Sequence, residues 1–259
     1  MSSNNSLLSG KKALVTGAGK GIGREVAISL ARNGADVCVT ARTLSELEEL
    51  SSKISSSFGI RALPIQVDVS KNEDVWMLAE KALSEFSSID VLICAAGFPL
   101  LDNLWNARLH DLRDEDFLEV FQVDVLGSFR VVKEFLPTMM KNGRGVIILF
   151  SSTPAISGYN KGAPYTISKA ANLGLVKELA SEYGKYNIRA YGIAPGNIKT
   201  DRTYNQLSED EKKLLAEESP MKRWGDPREV AQVATMLASD YTSFVNGQTI
   251  VVDGGTVMI

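Results

Sequence analysis

The sequence predicts an α/β fold, a single doubly wound parallel sheet with helices on both faces, and three observations predict it. Strand-like and helix-like patterns alternate along the 259 residues almost without interruption. The strand-like runs, such as "DVLICAAG" and "GVIILFS", are apolar throughout, as strands covered on both faces are. The chemically informative residues fall where strands end, and sheets of this kind bind ligands at the carboxyl ends of their strands.

Taken in order, "KALVTGA" and "DVCVTA" are β-branched runs, and "REVAISLARNG" between them has helical spacing with a closing glycine. "ALPIQVDV" reads as the third strand, followed by a helix through "EDVWMLAEKALSEF" and the apolar strand "DVLICAAG". A long helix is expected around 115–141, then the strand "GVIILFS", a helix near 164–184 and the strand "IRAYGIAPG". A helix near 227–238 and the strand "QTIVVDGG" close the order. There is no internal repeat, low-complexity segment or linker, so residues 10–259 read as one domain and residues 1–9 as a flexible tail.

Composition narrows the function classes. Hydrophobic residues make up 44% and charged residues 23%, with a net charge of −3, which gives no reason to expect nucleic acid as a partner. Cys38 and Cys94 both sit in apolar runs and read as buried thiols in a reducing compartment. The single histidine, His110, lies in the polar stretch "LHDLRDED", no G-x-S-x-G elbow is present, and His/Cys metal clusters are absent. The leader "MSSNNSLLSG" lacks the basic start and apolar run of a secretion signal, and no apolar run approaches the roughly 18 residues of a membrane span. A cytoplasmic protein is expected.

The most specific local signal is "ALVTGAGKGIG". It departs from the G-x-G-x-x-G fingerprint, since the position that should close that pattern after Gly17 and Gly19 is Ile22. The spacing is instead Thr16-Gly17-x-x-x-Gly21-Ile22-Gly23, and its physical logic is unchanged. It provides a tight turn, close backbone approach, and a helix N-terminus aimed at a pyrophosphate. A Rossmann-type dinucleotide site follows. NAD sites place an acid at the end of the second strand to hold the ribose hydroxyls, but here that strand ends "VTART", with Arg42 and no carboxylate. Lys20 and Arg42 are expected to converge on a 2′-phosphate. Two such charge-assisted hydrogen bonds imply a roughly hundredfold or greater preference for NADP(H) over NAD(H).

Thr16-Gly17-x-x-x-Gly21-Ile22-Gly23 together with Tyr165-x-x-x-Lys169 resembles the short-chain dehydrogenase/reductase family, from about residue 10 to the C-terminus. Ser152, 13 residues before Tyr165, Asp68-Val69 after the third strand, Pro195-Gly196 with Thr200 after the sixth, and the closing "FVNGQTIVVDGG" extend the resemblance. It implies that Asp68 and Val69 flank the adenine, that Ala95 approaches the cofactor ribose, and that Ile198 and Thr200 hold the nicotinamide carboxamide and phosphates. Two positions depart from the family pattern. Asp124 stands where an asparagine usually anchors a proton-relay water, and Cys94-Ala95-Ala96-Gly97 replaces Asn-Asn-Ala-Gly. An acid at 124 either holds the same water or pairs with Lys169 and blunts its effect; both departures are taken as variation within an active enzyme.

Tyr165 and Lys169 are spaced i, i+4 and share a helix face. A free phenol titrates near pH 10, and proton transfer near neutrality asks for about three units less. An ammonium about 4 Å away at an effective dielectric of ~20 contributes roughly 4 kcal/mol, an interaction of the needed size. The resemblance assigns Tyr165 as acid/base, Lys169 as its activator and ribose ligand, Ser152 as the group orienting the carbonyl oxygen, and Asp124 as the relay residue.

Residues 199–226, charged and edged with Tyr204, Leu207, Met221 and Trp224, read as a lid over a substrate. Lid and C-terminal motif are most similar to those of 3-oxoacyl-acyl-carrier-protein reductases. Carbonyl or polyol reductases, which pair a loop lysine with a strand-end arginine, are the alternative within the family. A non-catalytic NADP-binding regulatory subunit is a third reading, favoured by Asp124 and Cys94. The helices near 117–140 and 164–183 are apolar on several faces, more than one sheet covers, so a homo-oligomer is expected, a tetramer or dimer as is common in the family.

Overall fold

The structure, a computed structural model, describes residues 6–258. The chain runs β1 (Lys12–Thr16), α1 (Gly21–Arg32), β2 (Asp36–Ala41), α2 (Leu44–Phe58), β3 (Ala62–Gln66), α3 (Asn72–Phe86) and β4 (Val91–Cys94). It continues with α4 (Asp102–Asn106), α5 (Asp114–Asp124), α6 (Leu126–Asn142), β5 (Gly145–Phe150), α7 (Pro154–Ser157) and α8 (Ala163–Tyr183). The last part is β6 (Ile188–Pro195), α9 (Glu209–Glu217), α10 (Pro227–Ala238) and β7 (Thr249–Val252). The seven strands form one sheet in the order β3-β2-β1-β4-β5-β6-β7, parallel at every pairing. The doubly wound Rossmann-type fold expected from the sequence is the fold observed.

Alternate strand residues feed two cores, one on each face. Val15, Val39, Ile93 and Ile148 pack with Val26 and Leu30 of α1, Leu47, Leu50 and Ile54 of α2, and Val230 and Ala234 of α10. Their neighbours Leu14, Cys38, Leu92 and Ile147 pack with Leu78 of α3, Val131 and Phe135 of α6, and Val176 and Leu179 of α8. Both thiols are buried and unbridged, and burial pushes each up to about 12. The chain order reverses between β1 and β4, and such a switch point marks where a crevice at the carboxyl ends of the strands binds its ligand.

Four features differ from the sequence reading. The helix expected over 115–141 is two helices, broken at Val125 (φ −101°, ψ −63°). The break is tertiary in origin. The Asp124 carbonyl accepts from the Ser128 hydroxyl at 3.0 Å and the Asn172 side-chain amide at 3.3 Å, so side chains take up a carbonyl at the junction. The third strand ends at Gln66, because Asp68 turns the chain by accepting from the Ser70 N–H and hydroxyl at 3.0 and 2.7 Å. Helix α2, with Leu47, Leu50 and Ile54 buried, is an element that reading passed over. Of the tail placed at 1–9, residues 1–5 lie outside the described residues. Leu8 is fully buried and its N–H donates to the Asn33 carbonyl at 2.9 Å, so residues 6–9 belong to the body. Among the described residues no helix is long and apolar enough to cross a membrane.

Candidate active site

One crevice of about 770 Å³ runs along the carboxyl ends of the strands, within the range of roughly 300–1,000 Å³ usual for small-molecule sites. Every site residue read from the sequence lines it except Asp124: the loop from Gly17 to Gly23 with Lys20, then Arg42, Asp68, Val69, Ala95 to Gly97, Ser152, Tyr165, Lys169, Pro195, Gly196, Ile198 and Thr200.

The glycine loop forms one wall. Gly17 adopts φ +67°, and a Cβ there would lie 2.7 Å from the Ala95 carbonyl oxygen and the Ala96 nitrogen, so only glycine lets the two loops approach. The Thr16 hydroxyl ties them further, accepting from the Ala95 and Ala96 N–H groups at 3.1 Å each. This tie uses backbone, which is why the loss of both asparagines from Cys94-Ala95-Ala96-Gly97 leaves the loop in place. Thr40, whose buried Oγ1 has no partner among the described residues, lines the same crevice. A glycine cradle at a helix N-terminus, an unpartnered buried hydroxyl and a cleft of this size fit a dinucleotide.

Lys20 and Arg42 both line the crevice, and Lys20 has a carboxylate partner that the sequence reading did not place. Lys20 Nζ lies 2.9 Å from Glu46 Oε1, and that hydrogen-bonded pairing holds the lysine above its ordinary range. Glu46 sits in the first turn of α2 and lines the crevice, so a carboxylate is present after all, supplied from beyond the end of β2. The Arg42 guanidinium has no hydrogen-bond or ion-pair partner among the described residues, while the Arg42 carbonyl accepts from Gln66 at 2.7 Å. Burial acts against ionisation of Asp68, but the two Ser70 hydrogen bonds, with Arg42 and Lys71 nearby, hold its carboxyl below the usual range.

At the other end, α8 carries Tyr165 and Lys169 on one face. Lys169 Nζ stands 5.6 Å from the Tyr165 ring centroid, and its ion-pair partner is Asp124 Oδ2 at 3.1 Å. Asp124 is fully buried. Its carboxylate also accepts from the Phe98 N–H at 2.6 Å and lies 2.9 Å from the Ser168 hydroxyl. The residue marked from the sequence as catalytic therefore sits behind Lys169 and reaches the crevice only through it. The single Ser168 proton has a second acceptor, the Tyr165 carbonyl at 2.8 Å; the carboxylate, being charged, is the stronger one. The Ser152 hydroxyl donates to the Pro195 carbonyl at 3.4 Å, a long bond that is easily exchanged. The Tyr165 phenol oxygen makes no hydrogen bond among the described residues, and Tyr165 lines the crevice.

Residues 199–226 leave and rejoin the body at a closed base. Ile198 bridges to Gly225, the Lys199 N–H donates to the Gly225 carbonyl, and the Gly225 N–H donates to the Asn197 carbonyl, both at 2.9 Å. From this excursion the Arg202 guanidinium crosses the crevice to donate to the Phe98 carbonyl. Desolvation lowers Arg202 against the pull of Tyr165 and Asp124, and Arg42 acts in the same direction as desolvation. The sequence reading missed Glu46, Ser168 and Arg202 as site residues, whereas Trp105 belongs to "LLDNLWNARLHDL", within the long stretch from Gly97 to Asp124 that was expected to border the pocket. Of the three missed, only Ser168, directly before Lys169, had a local cue.

The chain matches the family model described as Enoyl-(Acyl carrier protein) reductase over residues 17–257. It is 35% identical to 3-oxoacyl-[acyl-carrier-protein] reductase FabG of Staphylococcus epidermidis over 249 residues, covering 96% of this chain and 99% of the relative. It is 33% identical to 7alpha-hydroxysteroid dehydrogenase of Escherichia coli (strain K12), covering 98% and 97%. Among solved structures, a short-chain type dehydrogenase/reductase from Mycobacterium marinum superposes with a TM-score of 0.89 at 32% identity, covering 98% of this chain and 99% of that one. A glycine cradle, a Tyr165–Lys169 helix face and relatives matching nearly end to end lead to one assignment: the chain belongs to the short-chain dehydrogenase/reductase family of oxidoreductases, which use a nicotinamide cofactor.

Proposed function

We propose that the chain interconverts a ketone and a secondary alcohol with NADP(H), using Tyr165 as the acid and base. The observation that carries this reading is the convergence of Tyr165, Lys169 and Ser152 on the crevice that the glycine loop walls. The bound dinucleotide supplies or accepts a hydride at its nicotinamide ring. Tyr165 gives its phenolic proton to the carbonyl oxygen during reduction and takes it back during oxidation. Ser152 exchanges its long bond to Pro195 for one to the same oxygen and fixes its direction. Lys169 places a positive charge against the phenol ring and offers its remaining donors to the nicotinamide ribose. Asp124, holding Lys169 from behind with Phe98 N–H and Ser168, positions that ammonium.

Arg42 supports NADP(H) over NAD(H): a free guanidinium at the end of β2 suits a 2′-phosphate. Lys20 contributes less than the sequence suggested, because Glu46 occupies it. The substrate is a 3-oxoacyl group on carrier protein or coenzyme A, after the first relative. A free carbonyl or polyol substrate is the second reading, favoured by the acidic first turn of α9, where Glu209, Asp210 and Glu211 stand on the excursion and repel an acidic carrier. The excursion acts as a lid, and the protein works in the cytoplasm as a homotetramer or homodimer with no nucleic-acid or membrane partner.

Loss of NADPH absorbance against a panel of ketones tests the reading. Tyr165→Phe is expected to lower kcat by roughly 10²–10⁴-fold with the Kd for NADPH little changed. Retained turnover in the variant overturns the role of Tyr165, and no turnover by the unaltered chain supports the non-catalytic alternative.

A further inference from the structure

Beside Tyr165 lies a second, much smaller cavity of about 20 Å³, room for about one water-sized or methyl-sized group. It is bounded by Phe98, Leu100, Leu104, Trp105 and Val120, together with Tyr165 itself, and no charged side chain lines it. The segment between β4 and α5 builds this niche, and Trp105 on α4 closes it. The Trp105 ring lies edge-on to Tyr165 with centroids 5.9 Å apart and is tilted against Tyr159 at 5.7 Å. Its position is fixed from across the crevice. The Gly162 N–H donates to the Trp105 carbonyl at 2.8 Å, and the neighbouring Lys161 Nζ donates to Asn106 Oδ1 at 2.9 Å. Gly162 adopts φ +63°, and a Cβ there would overlap the indole. The indole is thus held against the phenol by contacts on both sides.

Tyr165 lines both this niche and the wide crevice, so a carbonyl whose oxygen meets the Tyr165 hydroxyl can place one substituent in the niche and the other in the crevice. We infer that the niche is the small-substituent subsite of the reaction and that Trp105 determines its width, so that the substrate is a ketone with a methyl-sized apolar group on one side. The inference rests on Tyr165 being the acid/base, and it adds which ketones the site takes. An apolar wall discriminates by exclusion, and one excess carbon group in a closed hydrophobic site costs about 10–200-fold in kcat/KM.

The isomers 2-octanone and 4-octanone test it, since they differ in the position of the carbonyl and not in composition. With NADPH, the unaltered chain is expected to favour 2-octanone by at least about tenfold in kcat/KM. Trp105→Ala is expected to bring the ratio toward one, and Trp105→Phe, which keeps an aromatic ring in place, to give an intermediate value. A ratio near one in the unaltered chain, or an unchanged ratio in the variants, overturns the inference; if Trp105→Ala does not fold, Trp105→Phe decides. Calorimetric binding of 2-octanol and 4-octanol to the NADP⁺-loaded protein separates this inference from the proposed reaction. If neither ketone is reduced, the two alcohols decide on the subsite by themselves. The subsite stands if 2-octanol binds more tightly in the unaltered chain and the difference shrinks in the variants, and falls if it does not.

Discussion

Glu46 illustrates how much one side chain changes the reading of a site. Its carboxylate is held by Lys20 at 2.9 Å, and a Cβ on Gly19 would lie 2.6 Å from Oε2, so it overhangs the glycine loop. Neutralising it frees Lys20 and removes a negative charge from the end of the crevice assigned to the 2′-phosphate. Glu46→Gln is therefore expected to raise the NADPH:NADH affinity ratio several-fold, measured by fluorescence titration of both cofactors. A fall in that ratio would place Glu46 on the ribose side instead. This residue was not legible beforehand because the pairing joins positions 20 and 46, and nothing local to either marks it. Tyr165 and Lys169 were legible because their i, i+4 spacing carries chemistry, and Ser152 through the family resemblance. The Asp124–Lys169 pair was one of two outcomes the substitution allowed, the other being a held water. Its geometry, with both oxygens of a fully buried carboxylate occupied, emerged from the folded chain.

At the scale of the element, strands were easy to read and junctions were not. Parallel strands buried on both faces announce themselves as unbroken apolar runs, whereas the α5/α6 break depends on Ser128 and Asn172 reaching one carbonyl. The start of α10 shows what a well-specified junction looks like. Asp226 accepts from the Arg228 N–H, and the Glu229 side chain accepts in return from the Asp226 N–H at 2.8 Å. Hydrogen bonds from the Arg228 side chain and N–H take Asp226 down to about 2, and those from Arg223 and the Asp226 N–H do the same for Glu229. Both carboxyls thus titrate below their unfolded values of 3.8 and 4.5. In acid the unfolded chain binds these protons first, so the stability they contribute is complete above about pH 5 and is lost as pH falls toward 2. Asp226→Ala is expected to cost about 1 kcal/mol near neutrality and to flatten the loss of stability between pH 5 and 2 in urea titrations. Because α10 packs on α1, the helix that opens with the glycine cradle, the same variant should weaken NADPH binding in parallel.

For the whole molecule, the apolar faces that one sheet does not cover remain visible. Leu118 of α5, Phe129 of α6 and Ile167 of α8 are 59%, 46% and 43% exposed in the single chain. Large apolar side chains gathered on neighbouring helices mark an association surface. Light scattering is expected to return a multiple of the 28.1 kDa chain mass, and Phe129→Asp to shift it toward one chain. A monomer before mutation removes the basis for the proposed oligomer. Class and crevice position were legible at this scale, since they follow from alternation and from where the strands end; the strand order came from the folded chain. What lay beyond reach was the substrate end, because Trp105 and Gly162 are distant in sequence and acquire meaning only by touching.

The closed base of the 199–226 excursion has an evolutionary corollary. Since Ile198, Lys199 and Asn197 clasp Gly225 directly, the intervening loop is tethered like a bead on a ring, and changes in its length or sequence transmit little strain to the sheet. Apart from Thr200, which lines the nucleotide crevice against Gly21, that segment is where changes can retune what enters the cleft without moving the strands.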